Sequence, residues 1–279
     1  MTERIDAAIR RGTDALQTHS ESPQLDAELL LANCLQQPRS YLYSWPEQII
    51  DEACWQRYLE LLRQRLLPTP IAYLLGSREF YALDFITSPA ALVPRQETEL
   101  LIEQALAQIP VNSARRILDL GTGTGNIAIT LKKNRPMARI VATDIDPQCL
   151  TLAQENAVRH QVEINFIQSH WFNQLSGQTF DLIVSNPPYI AANHPLIKRG
   201  DLPAEPDLAL TPGETGLEAL EVIIGDAANH LSPAGHVMVE HGYDQEAPVA
   251  RLFQVHGFKE ITCVLDLNNL PRVTQARLG

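Results

Sequence analysis

The run Arg116-Ile-Leu-Asp-Leu120 passes straight into Gly121-Thr-Gly-Thr-Gly125, and this junction constrains the fold more than any other stretch of the chain. An apolar segment that ends in three alternating glycines reads as a β-strand turning sharply into a helix. Glycine permits that turn and lets a ligand come close to the backbone. The same rhythm continues downstream. Arg139–Asp144, Ile164–Gln168, Asp181–Ser185 and Gly235–Glu240 read as further strands. Helical segments separate most of them, one running through Lys133, one from Pro147 to about His160 and one reaching Leu231. Strands alternating with helices require right-handed crossovers and a mainly parallel sheet. The fold class is therefore α/β, a Rossmann-like doubly wound sheet. Ile261–Leu267 and Arg272–Leu278 read as a terminal antiparallel hairpin, and residues 191–216, rich in Pro, Gly and acids, as a loop.

The chain begins differently. Ile5, Ala8, Ile9 and Leu16 fall near one helical face, Ser22-Pro23 reads as a capped helix start leading to Leu25, Leu29 and Leu30, and Trp55, Tyr58, Leu59, Leu62 and Leu66 mark a third helix that stops at Pro68. These make a small N-terminal helical bundle over residues 1–75. Pro70–Gly76 and Glu79–Thr87 suggest a strand pair, giving a β-hairpin linker over 76–93. The sheet domain then spans 94–279, opening with Pro94-Arg95 and a helix that reaches about Ile109.

Of the 279 residues, 45% are apolar and 20% charged, with a net charge of −11. That balance argues against a broad basic surface for nucleic acid, so no direct nucleic-acid binding is expected. No window suits a membrane span and the N-terminus does not read as a secretory signal, so the expected location is cytoplasmic. Cys34, Cys54, Cys149 and Cys263 are far apart, with no zinc-like spacing, and read as small buried apolar residues. No metal is expected.

A glycine turn of this kind serves dinucleotides and S-adenosylmethionine alike. Two details favour the second. The spacing is GxGxG followed by Asn126, so the dinucleotide pattern lacks its last glycine. Asp119 sits where a carboxylate attracts a cationic amino-acid end and repels a pyrophosphate. Asp144, at the end of the next strand, suits a ribose diol. Trp171, after the third strand, could cover an adenine or could be plain core. His170 reads as a loop residue.

The fourth strand ends in Asn186-Pro-Pro-Tyr189. In a doubly wound sheet the first and fourth of these strands are neighbours, which puts Asn186 beside the glycine turn. The Asn186 side-chain oxygen and the Pro187 carbonyl can accept both hydrogens of an amide or exocyclic amine. That pins the nitrogen and aims its lone pair at a methyl donor. The prolines stiffen the loop before substrate arrives, and Tyr189 offers a flat wall with a π face for positive charge. No strong general base is required.

The chain resembles the PrmC/HemK family, methyltransferases that modify a glutamine of peptide chain release factors. Asn186–Tyr189 alone is shared with other amino-group methyltransferases. More specific are Pro70-Ile-Ala-Tyr73 with Gly76 and Glu79-Phe80, Pro94-Arg95 through Glu99, Asp119–Gly125, Glu205-Pro206 with Ala209-Leu210, and Glu240-His-Gly242 with Gln245. The resemblance implies that Gly121, Thr122, Gly123, Thr124, Gly125 and Asp144 hold S-adenosylmethionine, with Trp171 near the adenine. It implies that Asn186 touches both cofactor and substrate, and that Asn186, Pro187, Pro188 and Tyr189 grip the glutamine of a Gly-Gly-Gln loop. It also implies that the helical domain docks the release factor. Gln96, His170 and Leu267–Arg272 depart from the family's usual residues. The residues leave two other readings, an adenine-amine nucleic-acid methyltransferase and a noncatalytic binding module.

Overall fold

The computed structural model describes residues 3–279. They form two compact units, one holding the described residues through Ser77 together with Lys198–Glu205, the other Arg78–Ile197 and Pro206–Gly279. Among the described residues, no helix is long and apolar enough to cross a membrane.

The first unit is helical: α1 (Ile5–Leu16), α2 (Pro23–Leu35), α3 (Arg39–Ser44), α4 (Glu52–Arg65) and α5 (Ile71–Leu75). α1 buries Ile5, Ala8 and Leu16 at helical spacing, and these pack with Leu30 and Leu31 of α2 and Trp55, Tyr58 and Leu62 of α4. Each large apolar side chain buried this way contributes about 1.5–3 kcal/mol. α4 starts at Asp51, whose carboxylate accepts the Cys54 amide at 2.9 Å, and is closed off by Pro68.

Three expectations change here. Leu25 is exposed, and α2 instead buries Asp26 and Glu28 beside Ala27, because Arg65 and Arg39 supply their countercharges. Ser22 does not cap α2; its hydroxyl turns to the Asp26 carboxylate at 3.4 Å. Pro70–Gly76 is not a strand but the short helix α5, ended by Gly76 at φ 74°. Lys198–Glu205 is the larger surprise, because residues 191–216 read as a single loop. Arg65 Nη1 donates to Asp201 at 2.6 Å while its Nε donates to Asp26 at 2.7 Å, so a buried guanidinium holds this excursion to the helices.

The second unit opens with the two-stranded sheet β1 (Ser77–Phe80) and β2 (Leu83–Ile86). Tyr81 and Ala82 both have positive φ, as a tight hairpin turn demands. Then come α6 (Glu99–Gln108), β3 (Arg116–Leu120), α7 (Asn126–Asn134), β4 (Arg139–Asp144), α8 (Pro147–Arg159), β5 (Asn165–Gln168), β6 (Phe180–Ser185), α9 (Asp207–Leu210), α10 (Glu218–Ala227), β7 (Leu231–Glu240), α11 (Glu246–Val255), β8 (Lys259–Leu265) and β9 (Pro271–Arg277). The seven-stranded sheet has the order β5-β4-β3-β6-β7-β9-β8. Pairing is parallel from β5 to β7 and antiparallel for β7-β9 and β9-β8. The doubly wound sheet with its terminal hairpin is therefore the observed architecture.

Neighbouring residues on each strand face opposite helical layers, as the two-residue pleat requires. Ile117, Leu182, Val184 and Met238 pack with Leu101 and Ile102 of α6 and Ala128 and Leu131 of α7. Leu118, Leu120, Ile183, Val237 and Val239 pack with Leu220, Ile223 and Ile224 of α10 and Val249 and Phe253 of α11. Cys54 and Cys149 are buried as expected; Cys34 and Cys263 are only half-buried.

Candidate active site

The carboxyl ends of β3, β6 and β7 lie side by side. Leu120 pairs with Ser185 and Ser185 with Val239, so the next residues along, Gly121, Asn186 and Glu240, stand side by side at strand spacings of about 4.8 Å, Gly121 and Asn186 just beyond their strands and Glu240 still paired with Val273 of β9. The Ser185 hydroxyl donates to the Leu120 carbonyl at 2.8 Å and fastens the two exits. The two distant stretches singled out in the sequence are thus brought together.

Above them opens a cavity of about 500 Å³, lined by Gly121–Thr124, Asp144, Trp171, Asn186 and Pro188 among others. Gly121, Gly123 and Gly125 have φ of 70°, 54° and 81°, values that L side chains rarely adopt. The turn is braced from all sides. Thr122 N donates to Thr143 O at 2.9 Å, Gly123 N to Asp144 Oδ2 at 2.9 Å, and the buried Asn156 amide to Thr124 O at 2.9 Å. The indole of Trp171 lies over the turn, 3.5 Å from where a Gly121 Cβ would stand.

Asp144 lines the cavity, and burial raises its pKa, opposed by the amides of Gly123 and Asp146. Its two oxygens take one backbone amide each, leaving lone pairs for a diol. Asp119 lies beneath the turn and does not line the cavity. Burial pushes its carboxyl up to about 7, while the Thr122 hydroxyl at 2.6 Å and the Ala128 amide pull it down. Its Oδ1 is buried without a hydrogen-bond partner. Asp144, Asp146, Asp207 and Glu218 line the cavity with Arg95, a balance that suits a cationic ligand better than a pyrophosphate.

Asn186 Nδ2 donates to Thr98 Oγ1 at 2.9 Å. Tyr189 turns its hydroxyl to Glu240 Oε1 at 3.2 Å, and burial pushes its phenol pKa upward. Pro187 is buried and, like Tyr189, stands outside the cavity lining, whereas Pro188 is part of it. The loop is clamped from behind. Gln245 Nε2 donates to Tyr189 O at 3.0 Å and to Gly216 O at 3.2 Å, and Ile190 N donates to Leu210 O at 3.0 Å. A Cβ on Gly216 would meet Tyr189 O at 2.5 Å.

Residue-level reading missed Thr98, Asn156 and the role of Gln245. Thr98 and Gln245 lie in or beside motifs already singled out. Asn156, in the last turn of α8, carries no local signal. His170 lies in the loop after β5, as read, and from there lines the cavity beside Trp171; Cys149 lines it too.

Two family models match: "PrmC N-terminal domain" over residues 7–76 and "Methyltransferase small domain" over residues 96–198. The release factor glutamine methyltransferase of Salmonella typhimurium is 42% identical over 259 residues, covering 92% of this chain and 93% of its own. That of Escherichia coli is 41% identical over 271 residues, covering 96% and 97%. The chain belongs to the release factor glutamine methyltransferase family. Its fold also matches a crystal structure of a methyltransferase from Pyrococcus furiosus, with a TM-score of 0.55 and 18% identity over 71% of this chain and 90% of that one. Membership makes the protein an S-adenosylmethionine-dependent protein-glutamine N-methyltransferase.

Proposed function

We propose that the cavity holds S-adenosylmethionine and that the protein methylates the side-chain amide nitrogen of the glutamine in the Gly-Gly-Gln motif of peptide chain release factors. The observation that carries this reading is the register that sets Gly121 beside Asn186. The residues present fit the cofactor. The glycine turn leaves its backbone open, Asp144 suits the ribose, Trp171 suits the adenine, and the surrounding carboxylates suit a sulfonium and an ammonium. Asp119 acts from beneath the turn, through Thr122 and its own field.

When bound, S-adenosylmethionine supplies an activated methyl group, whose bond to sulfur breaks as its bond to the substrate nitrogen forms, with one nitrogen proton lost to water. Asn186 Oδ1 and the Pro187 carbonyl accept the two hydrogens of the glutamine amide and fix that nitrogen in the cavity mouth. Positioning of this kind can supply several kcal/mol of a transfer barrier. Pro188 walls the site, and Tyr189, held by Glu240, stiffens the loop from outside the cavity lining. The helical unit docks the release factor.

The test is transfer of radiolabelled methyl to purified release factor and to the same factor with Gln→Ala in its Gly-Gly-Gln loop. Label on the first and none on the second is expected. Label on nucleic acid with both proteins bare would establish the adenine-amine reading, and cofactor binding without any transfer would establish a binding module.

A further inference from the structure

One face of α8 touches two walls of the cavity. Cys149, Ala153 and Asn156 are four and three residues apart, so they stack along a single helical face. All three are buried. Cys149 Sγ donates to Ala90 O at 3.1 Å. Ala153 lies against the glycine turn, its Cβ 3.1 Å from where a Gly125 Cβ would stand. Asn156 reaches both stretches at once. Its Oδ1 accepts from Ile86 N at 2.7 Å, while its Nδ2 donates to Ile86 O at 3.1 Å and to Thr124 O at 2.9 Å.

The large sheet does not join these two stretches. Gly121–Thr124 lines the cavity from the end of β3, and Ala90–Arg95 lines it from the chain that follows β2. β2 belongs to the separate two-stranded sheet, so the chain leaving it needs an anchor of its own. Asn156 satisfies both backbone groups of Ile86, as a neighbouring strand would, and gives its remaining amide hydrogen to the glycine turn. An apolar side chain of similar size would fill the same space with nothing to desolvate. The carboxamide adds a fixed distance between the two stretches.

We propose that Asn156 is a positioning residue for the cofactor, setting the spacing between the glycine turn and Ala90–Arg95 and with it the affinity for S-adenosylmethionine. Asn156 does not itself line the cavity, so it acts through Thr124 and Ile86. Walls held in place beforehand bind with less ordering cost. The coupling is reciprocal, because a ligand seated between the two stretches also strengthens the bracket that holds them. The Asn186–Tyr189 loop is held by Thr98 and Gln245 instead, so loss of Asn156 falls on cofactor binding and spares the transfer step. The inference rests on the reading of this cavity as the cofactor's site.

The test compares wild type with N156A. Calorimetry reads the Kd of S-adenosylmethionine with no substrate present, and kcat and the release factor KM are read at saturating cofactor. NMR reads backbone amide exchange at Ile86 with and without S-adenosylhomocysteine. N156A should raise Kd about tenfold or more, the scale of one or more lost hydrogen bonds, with kcat and KM within about twofold of wild type. In wild type the ligand should slow exchange of the Ile86 amide about fivefold or more, although Ile86 does not line the cavity. A merely structural role would lower the urea midpoint of N156A and leave its Kd unchanged, and that result would overturn the inference. So would an Ile86 amide that exchanges at one rate with and without ligand. Should N156A not fold, the wild-type exchange decides alone. Ligand-induced NMR shifts away from Gly121–Gly125 would sink the cavity reading itself, whereas shifts at that turn with equal Kd in both proteins would overturn the bracket alone, so the two failures are told apart.

Discussion

At the residue scale, Asn186 and Asp144 carry different burdens, and their variants should separate cleanly. Asn186→Ala removes the acceptor proposed for the substrate amide. Turnover should fall by about 10², the usual cost of one preorganised polar group, while calorimetry finds cofactor binding little changed. Asp144→Ala removes a charged acceptor already held by the amides of Gly123 and Asp146. Cofactor Kd should rise by about tenfold or more, and kcat at saturating cofactor should fall less. Both residues were legible in the sequence, because a polar residue ending an apolar strand has few structural reasons to be there. Asp119 was legible as a residue and less so as a position. Its sequence place does not reveal that the turn folds over it, which is why it stands outside the cavity. Thr98 was invisible as a partner, since a short polar turn before a helix reads as a cap. Only the fold brings it against Asn186.

At the element scale, periodicity located the sheet strands to within a few residues, because buried parallel strands are short apolar runs bounded by turns. It misjudged α2, where Leu25 is exposed and Asp26 buried. A helical apolar stripe is blind to a charged residue whose partner lies on another helix. It also read Pro70–Gly76 as strand, where a single helical turn is too short to show a period. The Lys198–Glu205 excursion was hidden for the same reason: its anchor, Asp201 on Arg65, is a contact between segments far apart in sequence. Arg65 is nearly buried and serves two carboxylates and the Thr69 carbonyl. Arg65→Met should leave both acids uncompensated and cost about 3–5 kcal/mol, measured as a lower urea midpoint for loss of helical signal. A midpoint equal to wild type would show that the excursion is held by something other than this guanidinium.

At the scale of the whole molecule, buried acids make the unliganded protein pH-sensitive. Burial raises Glu240 and Asp119 to about 7, from ordinary values of 4.5 and 3.8. Their neutral forms are favoured by folding, so the folded chain binds more protons than the unfolded one between about pH 4 and 7. Stability from these groups is present at the acid end of that window and is lost as pH rises through it, by at most about 1.4 kcal/mol per pH unit for each group. Asp181 and Asp266, whose pKa values are lowered, act in the opposite sense at lower pH. The difference between wild type and E240Q in urea stability from pH 5 to 8 isolates the Glu240 share. Wild type should lose ground against the variant as pH rises, and parallel curves would contradict the burial argument. The doubly wound order was legible from the alternation of strands and helices, because crossover handedness leaves few topologies. The placement of Glu240 beside Asn186 was not, since neighbouring strand ends depend on which strand follows β6 in space.

The central claim is that the glycine turn and the Asn186–Tyr189 loop form one site in which a sulfonium donor faces a clamped carboxamide. The most direct test is a crystal structure with S-adenosylhomocysteine and a peptide carrying Gly-Gly-Gln. The adenosine should lie against Trp171 and Asp144, and the glutamine nitrogen should sit within hydrogen-bond distance of both Asn186 Oδ1 and the Pro187 carbonyl, facing the sulfur. A glutamine bound away from that pair of oxygens, or an adenosine seated outside the β3–α7 turn, would contradict it.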